Sequence, residues 1–237
     1  RPVVEMIWQR LPNTLLLMGT AQVVIIVFSL AIGVYSALRQ YSVADNVITT
    51  GAFIGYSMPI FWLALMLMYI FAVNFKKWGL PYFPTVGMYD PAVGRTFSQV
   101  IWHMALPVAT LSVTAIAAYS RYIRASMLEV INQDYIRTAR SKGLPERLIL
   151  WRHALKNASL PLVTLIGLDL PLLLAGAVVT ERIFAWPGMG RLFLDHVERA
   201  DYPVLMGILM LVSVAVVVFQ ILTDIVYTYL DPRIRYS

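Results

Sequence analysis

Few side chains in this sequence stand where they could make or break bonds. The histidines, His103, His153 and His196, are far apart and lack the short spacings that gather ligands round one metal ion. The chain has no cysteine, which removes thiolate ligands, thiol nucleophiles and disulfides together. There is no His-Glu-x-x-His, no Gly-x-Ser-x-Gly and no phosphate-cradling Gly-x-x-x-x-Gly-Lys-Ser/Thr. The expectation is a chain that is not an enzyme, with no catalytic residue, no metal site and no cofactor of its own. Two carboxylates stand out instead, because Asp169 and Asp224 lie inside long apolar runs. A charge in such a place costs a few kcal/mol or more unless it faces a cavity or a partner, so it reads as functional first. Asp169, in mid-run with no basic residue close in sequence, reads as a pathway or inter-subunit residue, with a polar contact to a neighbouring helix as the alternative. Asp224, near the end of its run, can reach the interface or pair with Arg233 and is not taken as a site.

The elements that hold these residues follow from composition. Of 237 residues 59% are hydrophobic and 14% charged, against about 45–50% and about 25% in soluble domains. About 20 apolar residues cross a bilayer as a helix, and five runs nearly free of charge qualify: Asn13–Ala37, Val47–Asn74, Ile101–Tyr119, Leu160–Thr180 and Val204–Tyr227. Their length and their lack of alternation exclude barrel strands. The fold class is therefore all-α, a polytopic transmembrane helical bundle, and 1–237 reads as a single transmembrane domain. Pro59, Pro107 and Pro171 fall inside the runs, where each removes a backbone donor and predicts a kink or local unwinding. The net charge of +6 does not mark a nucleic-acid partner, because the basic residues gather beside the apolar runs.

Orientation follows from lysine and arginine. The segment from Arg121 to Lys156 holds eight of them, which places it in the cytoplasm. Alternation then puts Leu38–Asn46 and the tail from Thr228 on the same side, and Phe75–Val100 and Glu181–Pro203 outside, with 11 basic residues inside against 8 outside. Arg1 falls outside, and the start shows neither an initiator methionine nor a signal sequence, so a further span is expected upstream. The start itself, Val4, Ile7, Trp8 and Leu11 beside Glu5 and Arg10, reads as an amphipathic segment at the outer interface.

Within the basic segment, the stretch from Asp134 to Pro145 reads as a helix, its stop and a new start. Lys142 suits a last turn, Gly143 the left-handed closing position and Pro145 the first turn of the next helix. Tyr135, Ile136 and Ala139 share one face of the first helix, and Leu148, Trp151 and Leu155 one face of the second, which makes an apolar knuckle. Two organised helices exceed what a connecting loop of roughly 2–8 residues needs. From composition two readings stand: a docking knuckle for a cytoplasmic partner, or an interfacial pair of helices on anionic lipid. Outside, Gly190–Ala200 mixes Leu192, Phe193 and Val197 with Arg191, Asp195 and Glu198, which predicts a short amphipathic helix.

Here a resemblance becomes specific. Tyr135-Ile136-Arg137-Thr138-Ala139-Arg140-Ser141-Lys142-Gly143, then Arg152-His153-Ala154-Leu155-Lys156-Asn157-Ala158 and Pro161, resemble the EAA loop of bacterial ABC importer permeases, in the branch importing dipeptides, oligopeptides, nickel and glutathione. Gly55-Tyr56-Ser57-Met58-Pro59 with Phe61-Trp62 resembles that branch's signature in an earlier span. Glu181, Phe184, Pro187-Gly188, Gly190-Arg191-Leu192 and Asp201-Tyr202-Pro203 resemble its outer loop. Arg137-Thr138-Ala139 stands where the wider superfamily has Glu-Ala-Ala, and the usual Ile-x-Leu-Pro is absent at its usual distance after Gly143, both of which favour the peptide branch. The resemblance implies a type I importer permease of six spans, five of them visible here, in the bacterial inner membrane.

It also implies roles and partners. Residues 121–157 become the coupling loop, with Tyr135, Ala139, Arg140, Ser141, Lys142, Gly143 and Leu144 meeting the ATPases. Ser57 and Pro59 join Asp169 on the pathway or an inter-subunit face, and Glu181, Pro187, Gly188 and Gly190 form an outer gate or a contact for a binding protein. The implied partners are a second, related permease, two ATPase subunits that carry ATP and magnesium, an extracytoplasmic solute-binding protein and membrane lipid. The implied function is inward movement of peptides or a similar small solute by alternating access. A gradient-driven secondary transporter or channel is the rival reading, and it has no need of a docking knuckle.

Overall fold

In lipid each backbone donor and acceptor must be satisfied within its own segment, and every apolar run is accordingly helical in the computed structural model, which describes residues 2–230. The first run lies in α1, Val3–Leu38, and the second is divided between α2, Val43–Ser57, and α3, Ile60–Met68. A wide π turn, Tyr69–Asn74, leads from α3 into α4, Phe75–Lys77. The third run lies in α5, Phe97–Ile131. Then come α6, Asp134–Ser141, and α7, Glu146–Leu148, with a second π turn, Ile149–Ala154, joining α7 to α8, Leu155–Ala158. The fourth run is α9, Leu160–Ala175, followed by α10, Val178–Ile183, and α11, Met189–Val197. The last run lies in α12, Tyr202–Leu230. Among the described residues no strand is present.

Among the described residues four helical stretches are long and apolar enough to cross a membrane: Val3–Leu38, Ile60–Lys77, Phe97–Ile131 and Tyr202–Val226. The fourth run gives a shorter apolar helix, which ends at Gly176, whose φ of +86° no longer continues it. The second run, Val47–Asn74, is interrupted at Pro59, where a kink or local unwinding is expected; with φ −58° and ψ 133° Pro59 stands outside the helix, and α3 restarts after it. Pro107 and Pro171, by contrast, lie inside α5 and α9. The third run continues as helix past Tyr119 to Ile131, so the first part of the expected loop is helical. Two charges of this continuation have partners on α2: Arg124 pairs with Asp45, and Arg121 lies over the rings of Phe53 and Tyr56.

The chain divides into two compact units. The first takes Arg1–Val24, Ser57–Thr114 and Leu170–Val216. Its core joins Ile7 and Leu11 of α1 to Met189 and Leu192 of α11 and to Val204 and Ile208 of α12, and a second cluster gathers Ala64, Leu106 and Phe184. Ile7 and Leu11, four apart, form the inward face of the chain's start, while Val4 and Trp8 are exposed. The segment after α4 is tied down by Phe83 N–H to the Phe71 carbonyl at 3.1 Å and Gly87 N–H to the Phe184 carbonyl at 2.8 Å, with Phe83 stacked on Trp102.

The second unit takes Ile25–Tyr56, Ala115–Asp169 and Val217–Ser237. Small residues bring its helices close, as membrane packing requires. A Cβ on Gly33 would stand 2.8 Å from the Ile123 side chain, and one on Gly167 would collide with Thr223. Ile123, Met127, Ile136 and Ile149 are almost fully buried there.

Candidate functional site

The elbow expected after Asp134 is present, and its backbone explains its shape. Helix α6 closes on Lys142, and Gly143 takes φ +73°, a left-handed value that a side chain would oppose. Gly143 N–H donates to the Arg140 carbonyl at 2.9 Å and Leu144 N–H to the Ala139 carbonyl at 3.4 Å, the paired bonds of a Schellman stop. Pro145 then stands as the N-cap of α7, one position earlier than first-turn placement. Across the bend the Arg140 guanidinium grips Glu146 with two bonds, Nε to Oε2 at 3.1 Å and Nη2 to Oε1 at 2.6 Å. That hydrogen bonding holds the Glu146 carboxyl below its ordinary range.

The faces of the elbow differ from a 3.6-residue projection. Ile136 and Ala139 are buried as expected, but Tyr135 is exposed, and its hydroxyl accepts a bond from Asn157 at 2.8 Å. In the second limb the buried residues are Ile149, Ala154 and Ala158, whereas Leu148 and Trp151 are exposed, the latter 62%. From Ile149 onward the π turn Ile149–Ala154 shifts the register, because its wider, i→i+5 bonded turn brings Ala154 and not Trp151 to the inward face. Leu144, Leu148 and Trp151 stay outward beside Ser141, Lys142 and Arg147, so an apolar knuckle with a basic rim is present, built from residues partly other than those expected.

At the junction of α10 and α11, Glu181, Pro187, Gly188 and Gly190 come together around one carboxylate. Glu181 is fully buried. Its Oε1 accepts the Thr14 hydroxyl at 2.9 Å and its Oε2 the Arg191 N–H at 3.0 Å, and the Met189 N–H donates to Thr14 at 2.7 Å. The carboxylate thus sits against the first turn of α11, where unpaired N–H groups and the helix dipole favour negative charge. Burial nevertheless outweighs these bonds and pushes the Glu181 carboxyl above its ordinary range. Space explains the glycines: a Cβ on Gly188 would strike the carboxylate, one on Gly190 would stand 2.7 Å from the Val178 backbone, and one on Gly176 would stand 2.5 Å from the Gly190 nitrogen and 2.8 Å from Glu181 Oε1. Asn13 donates to the Pro187 carbonyl at 3.0 Å and accepts the Trp186 indole N–H at 2.9 Å, which pins the loop to α1. Asn13 and Thr14 carry no motif signal and are legible only once α1 is placed beside the loop.

Of the residues assigned to the spans, Ser57 ends α2 and Pro59 opens α3, both exposed. Asp169 is half-buried and accepts the Tyr119 hydroxyl of α5, the polar contact weighed as the alternative. The Asp224 carboxylate accepts a long bond from Gln220 at 3.4 Å, and Arg233, the partner expected for it, lies outside the described residues. A further polar constellation of the second unit involves none of these. Asp45, 2% exposed, receives Nε and Nη2 of Arg124 at 2.9 and 2.8 Å, the Ser36 hydroxyl and the Tyr41 N–H at 2.9 Å. Those bonds, Arg124 first, hold its carboxyl far below the ordinary range. Among the described residues no cluster of His, Asp or Glu is arranged to hold a metal ion.

Comparison with known proteins adds the context of this geometry. A family model described as "Binding-protein-dependent transport system inner membrane component" matches residues 29–236. The oligopeptide transport system permease protein AppB of Bacillus subtilis is 44% identical over 235 residues, covering 99% of this chain and 73% of the relative. The dipeptide transport system permease protein DppB of Escherichia coli K12 is 38% identical over 257 residues, covering all of this chain and 74% of the relative. In structure, the chain is similar to one from an inward-facing form of the MetNI methionine ABC transporter, with a TM-score of 0.72, 17% identity and 98% and 99% of the two chains covered. At that identity the likeness shows the fold.

Proposed function

The chain belongs to the family of binding-protein-dependent transport system inner membrane components, and within that family we propose that it carries peptides inward by alternating access, driven by separate ATPase subunits. It is a multi-pass inner-membrane permease of an ABC importer and not an enzyme. Peptides as cargo rest on the relatives, whose names specify oligopeptide and dipeptide transport. The partners we propose are two ATPases binding ATP and magnesium, a solute-binding protein outside, and a second permease related to this one.

The observation that carries the coupling role is the elbow. A helix stop that needs Gly143, a clamp from Arg140 to Glu146 and buried anchors at Ile136 and Ile149 make a stiff bend that presents Leu144, Leu148 and Trp151 to the solvent. A stiff projection can convert a push by closing ATPases into a displacement of packed helices, whereas a flexible loop would absorb it. The Glu181 nest, joining the outer loop to α1, is a corresponding candidate for the outer gate. Residues 1–237 would then act as one permease domain.

Because the chain lacks cysteine, Ser141→Cys is a clean probe. Co-expressed with ATPase subunits carrying cysteines near their permease groove, it is expected to form a crosslink whose yield changes with ATP. An accessible, labelled thiol that crosslinks to no ATPase position overturns the coupling role and moves the reading to a gradient-driven carrier.

A further inference from the structure

Arg121 lies on α5 in the second unit, near the end of the third apolar run. Its guanidinium carbon stands 5.0 Å from the Phe53 ring centroid and 4.8 Å from that of Tyr56, both rings belonging to α2. Its Nε is buried with no hydrogen-bond partner, and among the described residues it has no ion pair. A cation so placed needs an anion from somewhere, because ring quadrupoles offset only part of the loss of hydration.

The acidic neighbours are already committed. Asp45 is held by Arg124, one turn further along α5. Asp169 is bonded to Tyr119, which lies two residues before Arg121 and so about 200° round the helix, on its far side. Arg124 shows what a permanent neutralisation looks like in this chain: a two-pronged carboxylate, further donors and near-complete burial of the acid. Arg121 has instead two ring faces, and the rings are themselves more than half exposed, Phe53 53% and Tyr56 55%. Contact with ring faces uses the π surface of a guanidinium and not its in-plane N–H groups, which stay suited to a planar, two-oxygen anion. That is the arrangement for an anion that comes and goes.

We propose that Arg121, positioned by Phe53 and Tyr56, is a carboxylate-binding subsite of the translocation pathway that takes the C-terminal carboxylate of a passing peptide. The proposal rests on the peptide-import reading above. Reciprocal contact is simple: the carboxylate accepts two N–H bonds in the plane of the guanidinium and leaves unchanged when the pathway turns.

The test uses the assembled importer in proteoliposomes, with a labelled tripeptide free of acidic side chains supplied as the free acid and as the C-terminal amide. Initial ATP-dependent uptake is measured for the wild type, Arg121→Gln and Arg121→Lys, and the acid-to-amide ratio is compared between them, which cancels any preference of the binding protein. Losing charge-assisted bonds to one carboxylate is expected to lower the ratio about tenfold in Arg121→Gln, with Arg121→Lys between. If Arg121→Gln does not assemble, Tyr56→Leu, which keeps the charge and removes half the clamp, is expected to lower the ratio in the same direction. A ratio equal in the wild type and the variants overturns the subsite. So does a ratio that stays fixed while the variants lose a dependence on anionic lipid, since Arg121 would then be binding headgroups. Wild-type liposomes that take up neither peptide overturn the import reading and the subsite with it.

Discussion

Replacing Asp45 with alanine removes the acceptor for the Arg124 fork, the Ser36 hydroxyl and the Tyr41 N–H in one step. Breaking a buried ion pair by removing one partner costs roughly 3–5 kcal/mol, mostly because the other charge is left uncompensated. Arg124 retains 27% exposure of its side chain and so regains some hydration, which places the expected loss near the lower end, at about 3 kcal/mol. For a chain of this size each kcal/mol corresponds to about 2–4 °C, so the apparent melting temperature of the complex in detergent should fall by roughly 6–12 °C. The cause is separable from cavity formation by a second substitution. With Arg124→Leu added, no uncompensated charge remains, and the double variant is expected to melt above Asp45→Ala alone. A fall below about 2 °C for the single variant, or a further fall for the double one, would refute the reasoning. The pH dependence carries its own sign. A depressed carboxyl contributes stability that is fully present above the unfolded value near 3.9 and is lost as pH falls through the folded value, so the difference between the wild type and Asp45→Ala should be flat between about pH 5 and 8.

Glu181 should behave in the opposite sense. Its raised carboxyl contributes stability that is present below the unfolded value of about 4.3 and lost as pH rises through the folded one; thermal stability should therefore decline with rising pH more steeply in the wild type than in Glu181→Gln, and parallel profiles would show that the carboxylate is not the group responsible. Gly190→Ala drives a methyl against the Val178 backbone and is expected to cost about 1–3 kcal/mol and to raise hydrogen exchange between α10 and α11. Gly51→Ala, where a Cβ meets open space, is the matching control, and equal exchange in both would contradict the packing at Gly190.

Most of the fold was legible because lipid leaves so little choice. Five apolar runs became helices since no other open structure satisfies their backbone, and the stop at Gly143 and the break at Pro59 followed from backbone rules that act over two or three residues. The bounds were less legible, because hydropathy marks where lipid ends and not where a helix ends: α5 runs on to Ile131 among charged residues. The elbow's inward face was misread for a related reason. A π turn leaves no reliable trace in a short sequence, yet one such turn rotates every later residue out of the projected stripe, which is why Trp151 is exposed and Ala154 buried.

The polar constellations were legible only as parts. Glu181 and its glycines lie within one short stretch of sequence, but Thr14 lies 167 residues from Glu181, and nothing local distinguishes it from a threonine facing lipid. Arg121 and Arg124 show the limit most clearly. Read along the chain, they are two of eight basic residues in a segment assigned to the cytoplasm, three positions apart on one helix. Their fates differ because α2 offers a carboxylate at Asp45 to one and rings at Phe53 and Tyr56 to the other, eight to eleven residues further along the same helix. A count of positive charge gives the side of the membrane and treats the two as equal. Placement beside α2 separates them into a charge satisfied inside the chain, whose loss should appear as instability, and a charge left for an outside anion, whose loss should appear as altered discrimination between peptides.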